Sequence, residues 1–90
     1  MSVTTKNILR HELIGLEAQV ISSSDHTLLG TFGKILDETR GILVIEHLSD
    51  AKFISKSGST FEIRLPDGQK VAVKGDKLVG RPAERVRRKR

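Results

Sequence analysis

Two periods divide the chain. Between Thr5 and Gly15 the apolar residues recur at helical spacing, with Leu9, Leu13 and Leu16 at i, i+4 and i+7 and with Ile8 and Ile14 beside them. Thr5 can cap the start and Gly15 can end the segment, so the spacing predicts a short helix over 5–14, with Lys6 and Arg10 together on another face. At Leu16 the period drops to two. Leu16, Ala18 and Val20 alternate with Glu17, Gln19 and Ile21, as in a half-buried strand. Further strands are predicted over 31–37, where Gly30 and Gly33 mark bends or bulges, and over 42–45. That second run is almost continuously apolar and so is expected to be covered on both faces. Strands over 51–56, 61–65 and 70–74 follow, the last two joined by the turn sequence Pro66-Asp67-Gly68, and a short strand over 77–79 closes the series.

About six short strands with tight turns predict an all-β domain, an antiparallel barrel or sandwich. A barrel removes the exposed edges of a small open sheet. Past Gly80, Pro82 suits a first helical turn and Ala83–Lys89 reads as a short basic helix, marginal on its own in water. The chain therefore divides into an N-terminal extension and helix (1–15), a barrel (16–80) and a basic C-terminal helix or arm (81–90).

Charge sharpens this division. Residues 81–90 hold Arg81, Arg85, Arg87, Arg88, Lys89 and Arg90 against Glu84 alone, which accounts for the whole net charge of +5 and leaves the first 80 residues neutral. Such a run is either a solvated tail or a polyanion-binding arm. Its arginine density favours the arm, because a guanidinium meets phosphate bidentately.

Candidate chemistry is sparse. The chain has no cysteine, which excludes disulfides and thiolate metal sites. None of His11, His26 and His47 has a second ligand at metal-motif spacing. Asp37-Glu38 sits before a turn beside Arg40 and reads as a salt-bridged turn. The serines at 22–24 lack a partnered histidine, and the glycines at 30 and 33 lack the Gly-Lys-Ser/Thr of a phosphate loop. No catalytic residue and no metal ligand is assigned. The start of the chain lacks a signal-peptide pattern and no apolar run is long enough to span a membrane, so a soluble, cytoplasmic protein is expected. The three aromatics are all Phe. Phe53 and Phe61 alternate with polar residues and are expected in the core, while Phe32, beside the glycines, is undecided. With few exposed aromatics for stacking, recognition of structured RNA through its backbone is favoured over single-strand binding.

Several segments carry a resemblance. Lys6-Asn7-Ile8-Leu9-Arg10-His11-Glu12-Leu13-Ile14-Gly15-Leu16, Gly33-Lys34-Ile35-Leu36-Asp37-Glu38-Thr39-Arg40 with the following Ile42–Glu46 run, Thr60-Phe61-Glu62-Ile63-Arg64-Leu65-Pro66, and Leu78-Val79-Gly80-Arg81-Pro82-Ala83-Glu84-Arg85 together resemble the archaeal ribonuclease P protein component 1 family. The likeness runs in order over nearly the whole chain. It implies a six-stranded antiparallel Sm-like barrel with short N-terminal and C-terminal helices. It also implies a non-catalytic subunit of the ribonucleoprotein that removes the 5′ leader of precursor tRNA, in which the RNA performs the chemistry with Mg²⁺ and this chain binds no cofactor. The implied partners are ribonuclease P RNA, through its specificity domain, and a zinc-ribbon protein subunit.

Within that frame RNA contact is assigned to Lys6, Arg10, Lys34, Arg40, Arg81, Arg85, Arg87, Arg88, Lys89 and Arg90, with the alternative that Lys34 and Arg40 only pair with Asp37 and Glu38. Partner contact is assigned to Ile8, Leu9, His11 and Leu13, with the alternative that the apolar ones pack on the barrel end. Two other functions compete: a generic Sm-like RNA binder outside ribonuclease P, and a protein-interaction barrel with a solvated tail.

Overall fold

The computed structural model describes Ile8 and residues 12–80. The expected C-terminal helix and most of the expected N-terminal helix lie outside the described residues. Six strands form one antiparallel sheet: β1 (Glu17–Ser23), β2 (Phe32–Glu38), β3 (Ile42–His47), β4 (Asp50–Ser55), β5 (Ser59–Arg64) and β6 (Lys70–Lys74). Their order across the sheet is β4-β3-β2-β1-β5-β6. Register shifts between Val20 and Ser22 in β1 and between Ile35 and Asp37 in β2 are bulges, which bend and twist strands so that a sheet can curl.

Alternation decides what the curl encloses. Ala18 faces Ile63 and Val20 faces Phe61 across β1–β5, Ile35 faces Ile45 across β2–β3, and Leu43 faces Ile54 across β3–β4. All eight are buried in one core, joined by Val73 and Leu65 and closed by Ile8, Leu13 and Leu78. The β3 run is covered on both sides as expected, since Val44 on the outer face is only 7% exposed and faces Phe53 of β4. Phe61 is in the core, but Phe53 is 66% exposed. The expectation of a core Phe53 is therefore overturned. Pairing of Leu43 with Ile54 sets the phase of β4, and a shift of one residue exchanges the two faces of a strand.

The strand expected over 77–79 is absent. Gly75–Leu78 forms a 3₁₀ turn instead. Asp76 accepts a hydrogen bond from the Gly58 amide, and Leu78 is buried. The Pro66-Asp67-Gly68 turn is formed as expected, with the Leu65 amide donating to the Gln69 carbonyl at 2.7 Å.

β4 and β6 stand at the two ends of the strand order, and no register between them occurs among the described residues. The seam is held by Lys56, the residue after β4, which is fully buried. Its Nζ donates to Glu38 Oε2 at the end of β2 (2.8 Å), to the Thr39 carbonyl (2.7 Å) and to the Leu78 carbonyl in the turn after β6 (2.9 Å). Its amide donates to the Gly41 carbonyl, and a Cβ on Gly75 would lie 1.9 Å from its own carbonyl oxygen. One side chain thus ties both ends of the sheet together with all three of its donors used.

Candidate nucleic-acid interface

The strands carry a row of charges across the outer face. Glu46, Lys34, Glu17, Arg64 and Lys70 are successive register partners from β3 through β2, β1 and β5 to β6, and all five are exposed. Opposite charges set directly across strands attract one another weakly. Arg64 lies 3.8 Å from Glu17 with both side chains more than half exposed, a pair that contributes little and leaves the guanidinium free to turn towards another anion. Arg64 and Lys70 are not among the cations singled out from the sequence. Their outward phase was legible there, but their meeting depends on the β1–β5–β6 register, which sequence alone does not carry.

The assigned cations fall into three groups. Lys34 is in the outer row between two carboxylates. Arg40 is exposed at the β2–β3 turn, and its carbonyl accepts a hydrogen bond from the Gly80 amide at 2.9 Å. The chain thus enters its basic C-terminal sequence beside Arg40. Lys6, Arg10, Arg81, Arg85, Arg87, Arg88, Lys89 and Arg90 lie outside the described residues.

The local ion pairs weighed for Lys34 and Arg40 are not formed. Among the described residues the ion pairs are Lys56–Glu38 and Arg64–Glu17. Asp37 Oδ1 accepts from the Glu38 amide, and Glu38 is turned inward to Lys56, so Asp37-Glu38 is not a turn bridged by Arg40. Of the residues assigned to partner contact, Ile8 and Leu13 are buried in the core. They pack the barrel end, as the alternative had it, and present no surface to a partner. Leu9 and His11 lie outside the described residues.

A second row runs beside the first. Phe32 of β2 faces Gln19 of β1, which faces Glu62 of β5. Phe32 is 55% exposed, and its ring meets His47 edge to face, with centroids 5.0 Å apart and planes at 81°. The His47 Nδ1 lies 3.2 Å from the Phe32 amide and 3.0 Å from its carbonyl. It can bond one of them in either tautomer, as acceptor from the amide or as donor to the carbonyl. Between the two rows lies a shallow cleft of about 370 Å³. No group of three or more His, Cys, Asp or Glu side chains placed to hold a metal ion occurs among the described residues.

Comparison with known proteins fits this architecture. A ribonuclease P protein component 1 of Thermofilum pendens is 49% identical over 90 residues, covering 99% of this chain and 96% of the relative. The protein of the same name from Desulfurococcus amylolyticus is 44% identical over 88 residues, covering 97% and 96%. A solved structure of Mth11, described as a homologue of human RNase P protein Rpp29, superposes with a TM-score of 0.62 at 37% identity, covering 82% of this chain and 96% of that one. Its likeness supports the Sm-like barrel expected from the sequence. Residues 6–88 match the family described as ribonuclease P/MRP, subunit p29, and the chain belongs to that family.

Proposed function

We propose that this chain is a protein subunit of ribonuclease P and supports an RNA-catalysed removal of the 5′ leader from precursor tRNA. The observation that carries the reading is the near full-length match to proteins named ribonuclease P protein component 1. The chain supplies RNA contacts and no catalytic group. Its arm and the neighbouring Arg40 bind the catalytic RNA, in its specificity domain, and a zinc-ribbon protein subunit is its protein partner. Mg²⁺ serves the RNA.

Purified protein is expected to cleave nothing by itself. With the zinc-ribbon partner it is expected to raise cleavage of precursor tRNA by the cognate RNA at low Mg²⁺. Absence of stimulation across a Mg²⁺ titration would overturn the proposal. The arm has its own quantitative test. If it neutralises Z phosphates, the logarithm of the binding constant falls against the logarithm of salt with slope roughly −0.7Z to −0.9Z. Deleting residues 81–90 is expected to flatten that slope by several units. An unchanged slope would make the arm a solvated tail.

A further inference from the structure

We infer that the cleft between the two outer rows is a binding site for a single unpaired nucleotide, with guanine as the base it accepts best. The inference rests on the reading of this chain as an RNA-binding subunit and adds a second mode of recognition to it, one that reads a base. An exposed phenyl ring keeps apolar surface in water, and the structure does not hide it: Phe32 stays more than half exposed while His47 meets it in a T-shaped contact. A T-shaped contact with one neighbour covers at most one of a ring's two faces, and a free aromatic face is what an extruded base stacks on.

The residues next to that face suit the rest of a nucleotide. Gln19 stands opposite Phe32, and Glu62 opposite Gln19. A base stacked on Phe32 would direct its Watson–Crick edge along this row. The Glu62 carboxylate only accepts hydrogen bonds. Guanine presents two adjacent donors, N1–H and the 2-amino group, which a carboxylate takes together, whereas uracil offers one donor between two carbonyls that the carboxylate repels. Gln19 can donate to the guanine O6. On the other side of the cleft Arg64 and Lys70 supply charge for the phosphate, with Arg64 held only loosely by Glu17. Stacking group, edge reader and phosphate cations are thus in adjacent registers of β2, β1, β5 and β6.

The test uses the full chain and two labelled RNA heptamers, oligo-U and oligo-U with one central G, in salt high enough to screen the arm. The wild-type protein is expected to bind the G-containing heptamer more tightly. Phe32→Leu keeps an apolar side chain against His47 but loses the stacking face, and is expected to weaken that binding roughly 10-fold, while Phe32→Tyr restores it. Glu62→Gln is expected to abolish the preference for G over U while retaining the stacking contribution. Phe53→Ala, at an exposed ring far along the sheet, is expected to change neither. Equal binding of the two heptamers by the wild type, or an unchanged affinity in Phe32→Leu, overturns the inference. So does a Phe32→Leu protein that binds RNA normally but no longer associates with the zinc-ribbon subunit, since the cleft is then a protein interface. Failure of the wild type to stimulate cleavage strikes the proposed function. Stimulation by the wild type with no effect of any cleft substitution on heptamer binding strikes the nucleotide site alone.

Discussion

Lys56→Met is expected to destabilise the protein by about 3–5 kcal/mol, the usual cost of removing one partner from a buried ion pair. For a domain of this size that is a fall in Tm of roughly 15–30 °C. The methionine fills most of the space, so the cost is electrostatic. Glu38 loses the cation that compensates its buried carboxylate, and the carbonyls of Thr39 and Leu78 lose their donor. The buried Leu78 carbonyl, once orphaned, costs roughly 1–3 kcal/mol, and the part-buried Thr39 carbonyl less. Lys56→Met combined with Glu38→Gln removes the buried charge together with its lysine but not the orphaned carbonyls, and is expected to recover part of the loss. A single variant as stable as the wild type would show that Lys56 does not hold the seam.

The same residue predicts a pH dependence. Burial pushes the Lys56 ammonium down from its ordinary 10.5 to about 8. Below pH 8 both folded and unfolded chains carry the proton, and burying the charge opposes folding. Between about 8 and 10.5 the unfolded chain holds a proton that the folded chain has released, so this group's contribution to stability rises with pH. The stability of the wild type relative to Lys56→Met is expected to rise with pH across that window, measured by urea denaturation at a series of pH values. A difference that stays flat from pH 7 to 11 would rule out this cost of burial.

The sequence exposed the barrel more clearly than the seam. β1, β5 and β6 alternate cleanly, so their inward residues were legible, and β6 was placed at its observed bounds. In β4 the large apolar residues Phe53 and Ile54 are adjacent and belong to opposite faces. Alternation with polar neighbours favours Phe53, and only the pairing of Ile54 with Leu43 resolves the choice. The same phase error hid Lys56, which ends the strand expected over 51–56 and shares the inward face of Ile54, two residues before it. The charge of the arm was plain because it is a property of composition. The cleft was not, because it is made by cross-strand registers that join Phe32, Gln19, Glu62, Arg64 and Lys70. Phe32 carries no clear assignment in the sequence, since its neighbour Gly33 reads as a bend or bulge.

Gly33 has a different role, and its replacement is the second large effect expected. It is paired in regular register with Ala18 of β1, while the Glu46 carbonyl of the neighbouring β3 occupies the place of its missing Cβ. A Cβ there would lie 1.7 Å from the carbonyl oxygen of Glu46 and 2.8 Å from its carbonyl carbon, and Gly33 has φ +152°. Both obstructing atoms are backbone, so no side-chain rotation relieves the clash. β2 and β3 would have to separate where Lys34 pairs with Glu46 and Ile35 with Ile45, which draws Ile35 and Ile45 out of the core. Over-packing costs roughly 1–3 kcal/mol and a disfavoured backbone conformation a similar amount. Gly33→Ala is therefore expected to lose about 4 kcal/mol or more, a large part of the 5–15 kcal/mol typical of a whole domain. Gly30→Ala is the internal control. Gly30 also has a positive φ, +85°, but a Cβ there meets nothing within 4 Å, so only the conformational cost of about 1–2 kcal/mol applies. Urea denaturation of the two variants separates the causes. If Gly33→Ala costs no more than Gly30→Ala, the close passage of β3 is not what demands glycine. If it costs several times more, the residue beside Phe32 is glycine because the Glu46 carbonyl of β3 fills the place of a Cβ, and the floor of the cleft depends on that contact.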